Sequence, residues 1–295
     1  MKTLILIVMV MSVTLGCSKK EEEGSSVTVD SVEAVVESGV TMLSGMADEE
    51  SGSSLALETK ANELKPSIFE LAFVPRAYAD SCSRAYYQSC SAGVRSVDYN
   101  SCSVPYTLRS LNGNVTLTYS DSSCSMATTG NTITRTYNID ITGARGGKIS
   151  HSSDVHTDYS GDAYGGGGRL TKTGSGWNLD ILGRHTQFTY NGLEIFNVST
   201  RTLSSVSVTG SLSRSSRVMS GGQIEVNHNL AEFTAVMIPQ NLQWSGSCCH
   251  PISGSLDVTF SGSKTGTATV TFAGCGTATV DQDGQSSSIQ LLYCE

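Results

Sequence analysis

The densest group of metal-ligating side chains in the chain is His151, Asp154, His156, Asp158 and Asp162. On an extended segment, side chains alternate between faces, so Asp154, His156 and Asp158 share one side of a strand. Two carboxylates around an imidazole are a donor set for a divalent metal, with His185 or His228 completing it from a neighbouring strand. That arrangement gives one candidate chemistry, a metal-dependent or hydrolytic reaction in the His151–Asp158 region. The same spacing also describes a solvated strand face, with Val155 and Tyr159 turned the other way.

Other clusters offer less. Cys248, Cys249 and His250, with Cys275 and Cys294, have the residue types of a zinc site but lack the gapped pairs that structural zinc uses. Gly165 to Gly168 would suit a phosphate loop only before a helix, and Leu170 to Thr173 reads as strand. It therefore reads as a flexible hairpin tip. Asp281 to Gly284 begins like a calcium loop, but Leu292 stands where the closing glutamate belongs, so the segment is a turn. No Gly-x-Ser-x-Gly elbow occurs, and no spacing ties His185 or Asp180 to a particular serine. No cofactor motif is present. Trp177, Tyr190 and Trp244 can stack on a sugar or a partner, or equally serve the core.

The elements that must carry these residues are strands. From Val104 onward Ser or Thr alternates with aliphatic residues, punctuated by Gly and Asn-Gly. Strands are expected at 104–110, 114–120, 132–142, 148–159, 168–173, 177–190, 193–199 and 203–213. Further ones are expected at 223–228, 231–238, 254–261, 267–273, 277–281 and 287–293. Asn112–Gly113 and Asn191–Gly192 suit two-residue hairpins, with Gly146–Gly147, Gly174 to Gly176, Gly221–Gly222 and Asp283–Gly284 acting similarly. Short loops make antiparallel neighbours, because parallel pairs need long crossovers. The expected fold is all-β: an antiparallel meander sheet, sandwich or barrel over residues 81–295. Residues 241–295 are a possible Cys-rich C-terminal module.

Ahead of this region the texture differs. Residues 17–80 hold 13 acids against 5 bases, whereas 81–295 hold 14 against 13. No basic stripe interleaved with aromatics is present, which argues against nucleic acid. Residues 17–28 read as a flexible tether and 29–80 as a partly helical stalk. Asp30 with Glu33 forms a capping box, and Val32, Val35, Val36, Leu43 and Met46 recur near helical spacing over 30–47. A second short helix is expected over 55–64. Such helices can dock on the domain or stand as a stalk; the reading favours the stalk.

Cysteine use suits an oxidising compartment. Besides Cys17 there are Cys82, Cys90, Cys102 and Cys124, then Cys248, Cys249, Cys275 and Cys294. Pairing is expected within each group of four. Cys82–Cys90 with Cys102–Cys124 is the most local scheme. Cys248 and Cys249 each take Cys275 or Cys294, because neighbouring cysteines rarely meet disulfide geometry.

The N-terminus has a basic start at Lys2, an apolar run from Leu4 to Leu15, then Gly16 and Cys17. A dozen apolar residues fall short of the roughly 20 needed for a span. This is the plan of a signal peptide, and a cysteine at its end resembles the lipobox of bacterial lipoproteins. The resemblance implies removal of residues 1–16, diacylglycerol and acyl (palmitate) chains on Cys17, and attachment to a membrane through lipid. Ser18 resembles the residue that sorts such proteins to the outer membrane. The expected role is a non-enzymatic envelope or surface protein that binds a protein, glycan or lipid. The alternatives are the metal-dependent or hydrolytic enzyme above and a structural envelope component.

Overall fold

A computed structural model describes residues 25–26, 32, 35–36, 85–87, 89–104, 108–143, 146–212, 215–246, 248 and 250–291. Its strands run in chain order as β1 (Ser25–Ser26), β2 (Ala85–Tyr87), β3 (Val94–Val104), β4 (Leu108–Tyr119), β5 (Thr132–Gly143) and β6 (Lys148–Ser152). There follow β7 (His156–Thr157), β8 (Ala163–Tyr164), β9 (Gly167–Lys172), β10 (Gly176–Tyr190), β11 (Leu193–Ser204), β12 (Val206–Thr209) and β13 (Val218–Ser220). The last are β14 (Gln223–His228), β15 (Phe233–Gln243), β16 (Ser253–Gly262), β17 (Lys264–Phe272), β18 (Thr277–Gln282) and β19 (Gln285–Gln290). The protein is all-β, and one large sheet, antiparallel but for the short β1, holds these strands except the β7–β8 pair.

The order is a meander with interrupted rows. β6 and β9 lie end to end between β5 and β10: Asn138 pairs with Ser152, and Arg135 with Gly168. In the same way β11 and β12 share the next row, and β14 and β13 the one after. β15 pairs with both of the latter, and β16 to β19 follow one by one. At the two ends of this order β2 pairs with β3 and β19 with β18. β15 and β16 pair from Phe233–Gly262 to Gln243–Ser253, so the sheet runs unbroken into the Cys-rich segment.

Period-two alternation supplies the core. Leu256, Val258 and Phe260 of β16 are buried and alternate with exposed Asp257, Thr259 and Ser261, and Phe233, Ala235 and Met237 of β15 are buried and alternate with half-buried Thr234, Val236 and Ile238. Burying each large side chain contributes about 1.5–3 kcal/mol. One cluster extends from Tyr119 and Ile133 to Ile289 and Leu291; a second holds Tyr99, Leu111, Val115, Tyr137, Ile139, Ile141 and Ile149.

The N-terminal region corrects the stalk reading where it is described. Val32, Val35 and Val36 lie in helical backbone, are at most 2% exposed, and belong to the larger core cluster. Their spacing puts them on one helix face, and that face docks. Ser25 and Ser26, expected in the tether, pair in parallel with Lys264 and Thr265. Cys17 and the helix expected over 55–64 lie outside the described residues.

Two turn expectations and one strand boundary also change. Asn191–Gly192 and Asp283–Gly284 are two-residue hairpin tips with positive φ at both positions, as expected. Asn112–Gly113, however, sits inside β4. A Cβ on Gly113 would lie 1.9 Å from the Asn138 carbonyl oxygen, so the glycine permits close strand approach rather than a turn. Gly221–Gly222 joins β13 to β14 within one row, where Gly221 donates to the Pro239 carbonyl. Finally, the strand expected over 148–159 stops at Ser152.

Two disulfides are described, Cys90–Cys124 and Cys248–Cys275. The first overturns the local scheme Cys82–Cys90 with Cys102–Cys124. In an antiparallel hairpin the start of one strand meets the end of the other. Val94 of β3 pairs with Thr118 of β4, which brings Cys90 beside Cys124, whereas Cys102 lies at the other end of β3. Cys248–Cys275 obeys the same rule around β16 and β17. Cys82, Cys249 and Cys294 lie outside the described residues.

Candidate functional site

Of the interrupted rows, the one between β5 and β10 carries the longest excursion, with 14 residues between β6 and β9. Residues 153–166 leave the row after β6 and return to it at β9. Both ends are pinned: Ser153 N–H donates to the Tyr137 carbonyl, and Gly166 N–H donates back to the Ser153 carbonyl, each at 2.8 Å. The excursion carries Asp154, His156, Asp158 and Asp162. Gly165 to Gly168 mark its re-entry rather than a flexible tip, with Gly167 and Gly168 buried in β9.

The excursion folds over the outward face of β11, β14 and β15, held by a ladder of polar side chains. His156 stacks on His185 with ring centroids 4.3 Å apart, and its Nε2 lies 2.9 Å from Ser199 Oγ. Nδ1 lies 3.3 Å from the Asp154 carbonyl, which can only accept, so Nδ1 carries a proton and donates there. Tyr159 N–H donates to Asn229 Oδ1, and Tyr159 OH is 2.8 Å from Thr234 Oγ1. Thr234 in turn donates to Asn227, whose Nδ2 donates to Asp158 Oδ2 at 2.9 Å and to the Tyr164 hydroxyl. Tyr164 donates to Glu225 at 2.6 Å, and Arg201 pairs with both Glu225 and Asp162.

Asp158 is the keystone. Its Oδ1 accepts from Ser160 N–H, Ser160 Oγ–H and Asp162 N–H at 2.8–2.9 Å. Burial works against its charge, yet these hydrogen bonds outweigh it and hold the carboxyl below its ordinary range. Burial, reinforced by the hydrogen bond to Glu225, raises the Tyr164 phenol well above its usual value and keeps it a donor.

The metal set is therefore corrected. Asp154, His156 and Asp158 do not share a strand face, because the strand has ended. Asp154 accepts from Asn138, His156 meets Ser199, and Asp158 turns inward to its own loop. Among the described residues no group of three or more His, Cys, Asp or Glu is placed to hold a metal ion. Cys248 and Cys275 are joined to each other rather than to zinc. Trp177 and Trp244 are 9% and 3% exposed, with Lys172 and Arg217 over their rings, and so belong to the core; Tyr190 is 39% exposed. The partners that the sequence reading missed are Asn197, Ser199 and Arg201 on β11, and Asn227 and Asn229 on or just after β14. Their signal was period-two alternation of polar residues on adjacent strands.

The inward face holds a second polar group. Arg135 and Arg184 lie 5.0 and 5.2 Å from the Tyr137 ring, a cation–π arrangement. His151 is 1% exposed, with Nδ1 2.9 Å from Thr186 Oγ1 and 3.4 Å from Arg184 Nη2. Burial, then the two guanidinium charges, pushes its pKa well below the ordinary value, so the folded protein holds it neutral. His156 and His228 are lowered by burial too. A depressed histidine pKa means that the unfolded chain takes the proton first. Stability is then full above about pH 6.5 and falls as pH drops below it, by at most about 1.4 kcal/mol per pH unit for His151. Urea midpoints between pH 7.5 and 5 should show this slope, and His151→Gln should flatten it. An unchanged slope in that variant would rule out His151 as its source.

Comparison of the chain with protein-family models, with curated proteins and with solved structures finds no match.

Proposed function

We propose that the chain is an exported lipoprotein, held at the outer membrane through Cys17, whose sheet is a non-catalytic binding module for an envelope ligand. The observation that carries the binding half is the buttressed excursion. A loop docked on a rigid sheet by side-chain hydrogen bonds presents its outer residues in a fixed arrangement, which is how binding loops are usually mounted. Its most exposed large side chain is Val155 at 79%, with Leu182 at 37% close by; Gly165 and Gly166 pass against them without side chains of their own. Asp154 and His156 flank this apolar spot. An apolar centre with a polar rim suits a protein ligand better than a sugar, which would ask for an exposed aromatic plane. The described disulfides support export to an oxidising compartment.

A photoreactive side chain at Val155 should capture one defined partner in cells, with little adduct when the group is moved to exposed Thr267 on β17. Equal, diffuse labelling at both positions would contradict the binding reading. Separately, Cys17→Ser should move the protein from the membrane fraction to the soluble one; retention of that variant would contradict the anchor.

A further inference from the structure

Taking the lipid anchor of the preceding reading as given, we infer that one rim of the sheet, led by the β10–β11 hairpin, rests in the bilayer that holds Cys17. The rim is defined by topology. In the meander, the β5–β6, β10–β11, β14–β15 and β16–β17 turns all lie at the same end of the sheet, as the pairings Thr189–Lys148, Val198–His228 and Phe233–Gly262 show. The pairs Cys90–Cys124 and Cys248–Cys275 lie at the opposite end, beyond Val94–Thr118 and Ser255–Thr271.

Large apolar side chains are concentrated on the first rim. Of the eight exposed among the described residues, four are there: Tyr190 at 39%, Leu193 at 69%, Ile195 at 39% and Leu230 at 45%. The tip of the β10–β11 hairpin projects past Val198–His228, the last pair between β11 and β14, so Leu193 stands forward of the next turn. Tyrosine with leucine at a projecting tip is the composition that membrane interfaces favour. Lys148 and Lys264 on this rim are matched by Glu194 and Glu232, and Glu194 already accepts from Gln187 and Asn197. Contact would thus be apolar and insensitive to salt.

The chain itself argues for the occupant. β1 runs parallel to β17 with Ser25 opposite Lys264, so the backbone upstream of Ser25 leaves the sheet at this rim. Eight peptide steps from Cys17 to Ser25 reach at most about 29 Å. Four strand spacings of about 4.8 Å separate β17 from β11 along the sheet. An anchor at Cys17 therefore tethers this rim, and not the opposite one, close to the lipid.

The test uses the acylated full-length protein reconstituted in phosphatidylcholine vesicles, with Leu193→Trp as reporter against the parent, whose tryptophans are buried. The expected result is a blue-shifted added emission, quenched about twofold by brominated lipid and unchanged by salt. Leu230→Trp gives the same readout if the first variant does not fold. Emission that stays red and unquenched while the protein floats with the vesicles would overturn the inference and leave the anchor intact. Failure to float with the vesicles would overturn the anchor and the inference with it. A concentration-dependent blue shift without vesicles would make a second copy the occupant and overturn lipid contact.

Discussion

Gly167→Ala is expected to destabilise the protein by about 3–5 kcal/mol, lowering its urea midpoint sharply. Gly167 has φ +77° at the point where the excursion re-enters the sheet, and a Cβ there would lie 1.9 Å from the Arg135 carbonyl oxygen and 3.0 Å from Ser153 Oγ. Two costs add: left-handed backbone, at about 1–2 kcal/mol for an L-residue, and a collision with main chain that only a shift of β5 or β9 relieves. Gly161→Ala separates them. Its φ is +95°, but nothing lies within 4 Å of the added carbon, so only the backbone cost of about 1–2 kcal/mol remains. Equal effects at the two sites would mean that close strand approach does not hold the excursion's base.

Asp158→Ala is expected to cost about 3 kcal/mol, because four hydrogen bonds to one carboxylate are lost and buried donors lose their acceptor. Asn227 Nδ2 would keep only the Tyr164 hydroxyl, and the turn at Ser160 and Asp162 would lose its organiser. Asp154→Ala, four residues earlier, removes an exposed carboxylate with one bond to Asn138 and should change stability by less than about 0.5 kcal/mol. Thermal or urea unfolding of the two variants side by side is the check. Similar losses would show that the two acids play equivalent parts, contrary to the geometry.

Much of the sheet was legible because its code is local. The alternation Leu256, Val258, Phe260 and the tips Asn191–Gly192 and Asp283–Gly284 each specify their own geometry within a few residues. What stayed hidden depends on partners far along the chain. The pattern His151 to Tyr159 alternates well enough to read as strand, and only pairing of β9 onto the end of β5 shows that the segment must leave the row. Asn112–Gly113 has turn chemistry, but its glycine is spent on Asn138 across the ladder. Cys90 and Cys124 are distant in sequence and adjacent only once β3 and β4 pair. Val32, Val35 and Val36 displayed a helical stripe; which surface it would meet was not written nearby. The candidate site was legible as a concentration of His and Asp. Its use was not, since the residues that engage it, Asn197, Ser199, Asn227 and Asn229, are unremarkable polar positions until the register sets them under the excursion.

A fixed platform and a loose loop differ most directly in amide hydrogen exchange over residues 154–166. Ser160 and Asp162 N–H donate to the Asp158 carboxylate, Tyr159 N–H to Asn229, and Gly166 N–H to Ser153. These amides should exchange slowly in the native protein, at rates approaching those of β9. In Asp158→Ala the protection should vanish from the excursion while β16 and β17 keep theirs. Exchange of the wild-type segment at the rate of an unstructured peptide would contradict the platform, and with it the proposal that Val155 is held out for a partner.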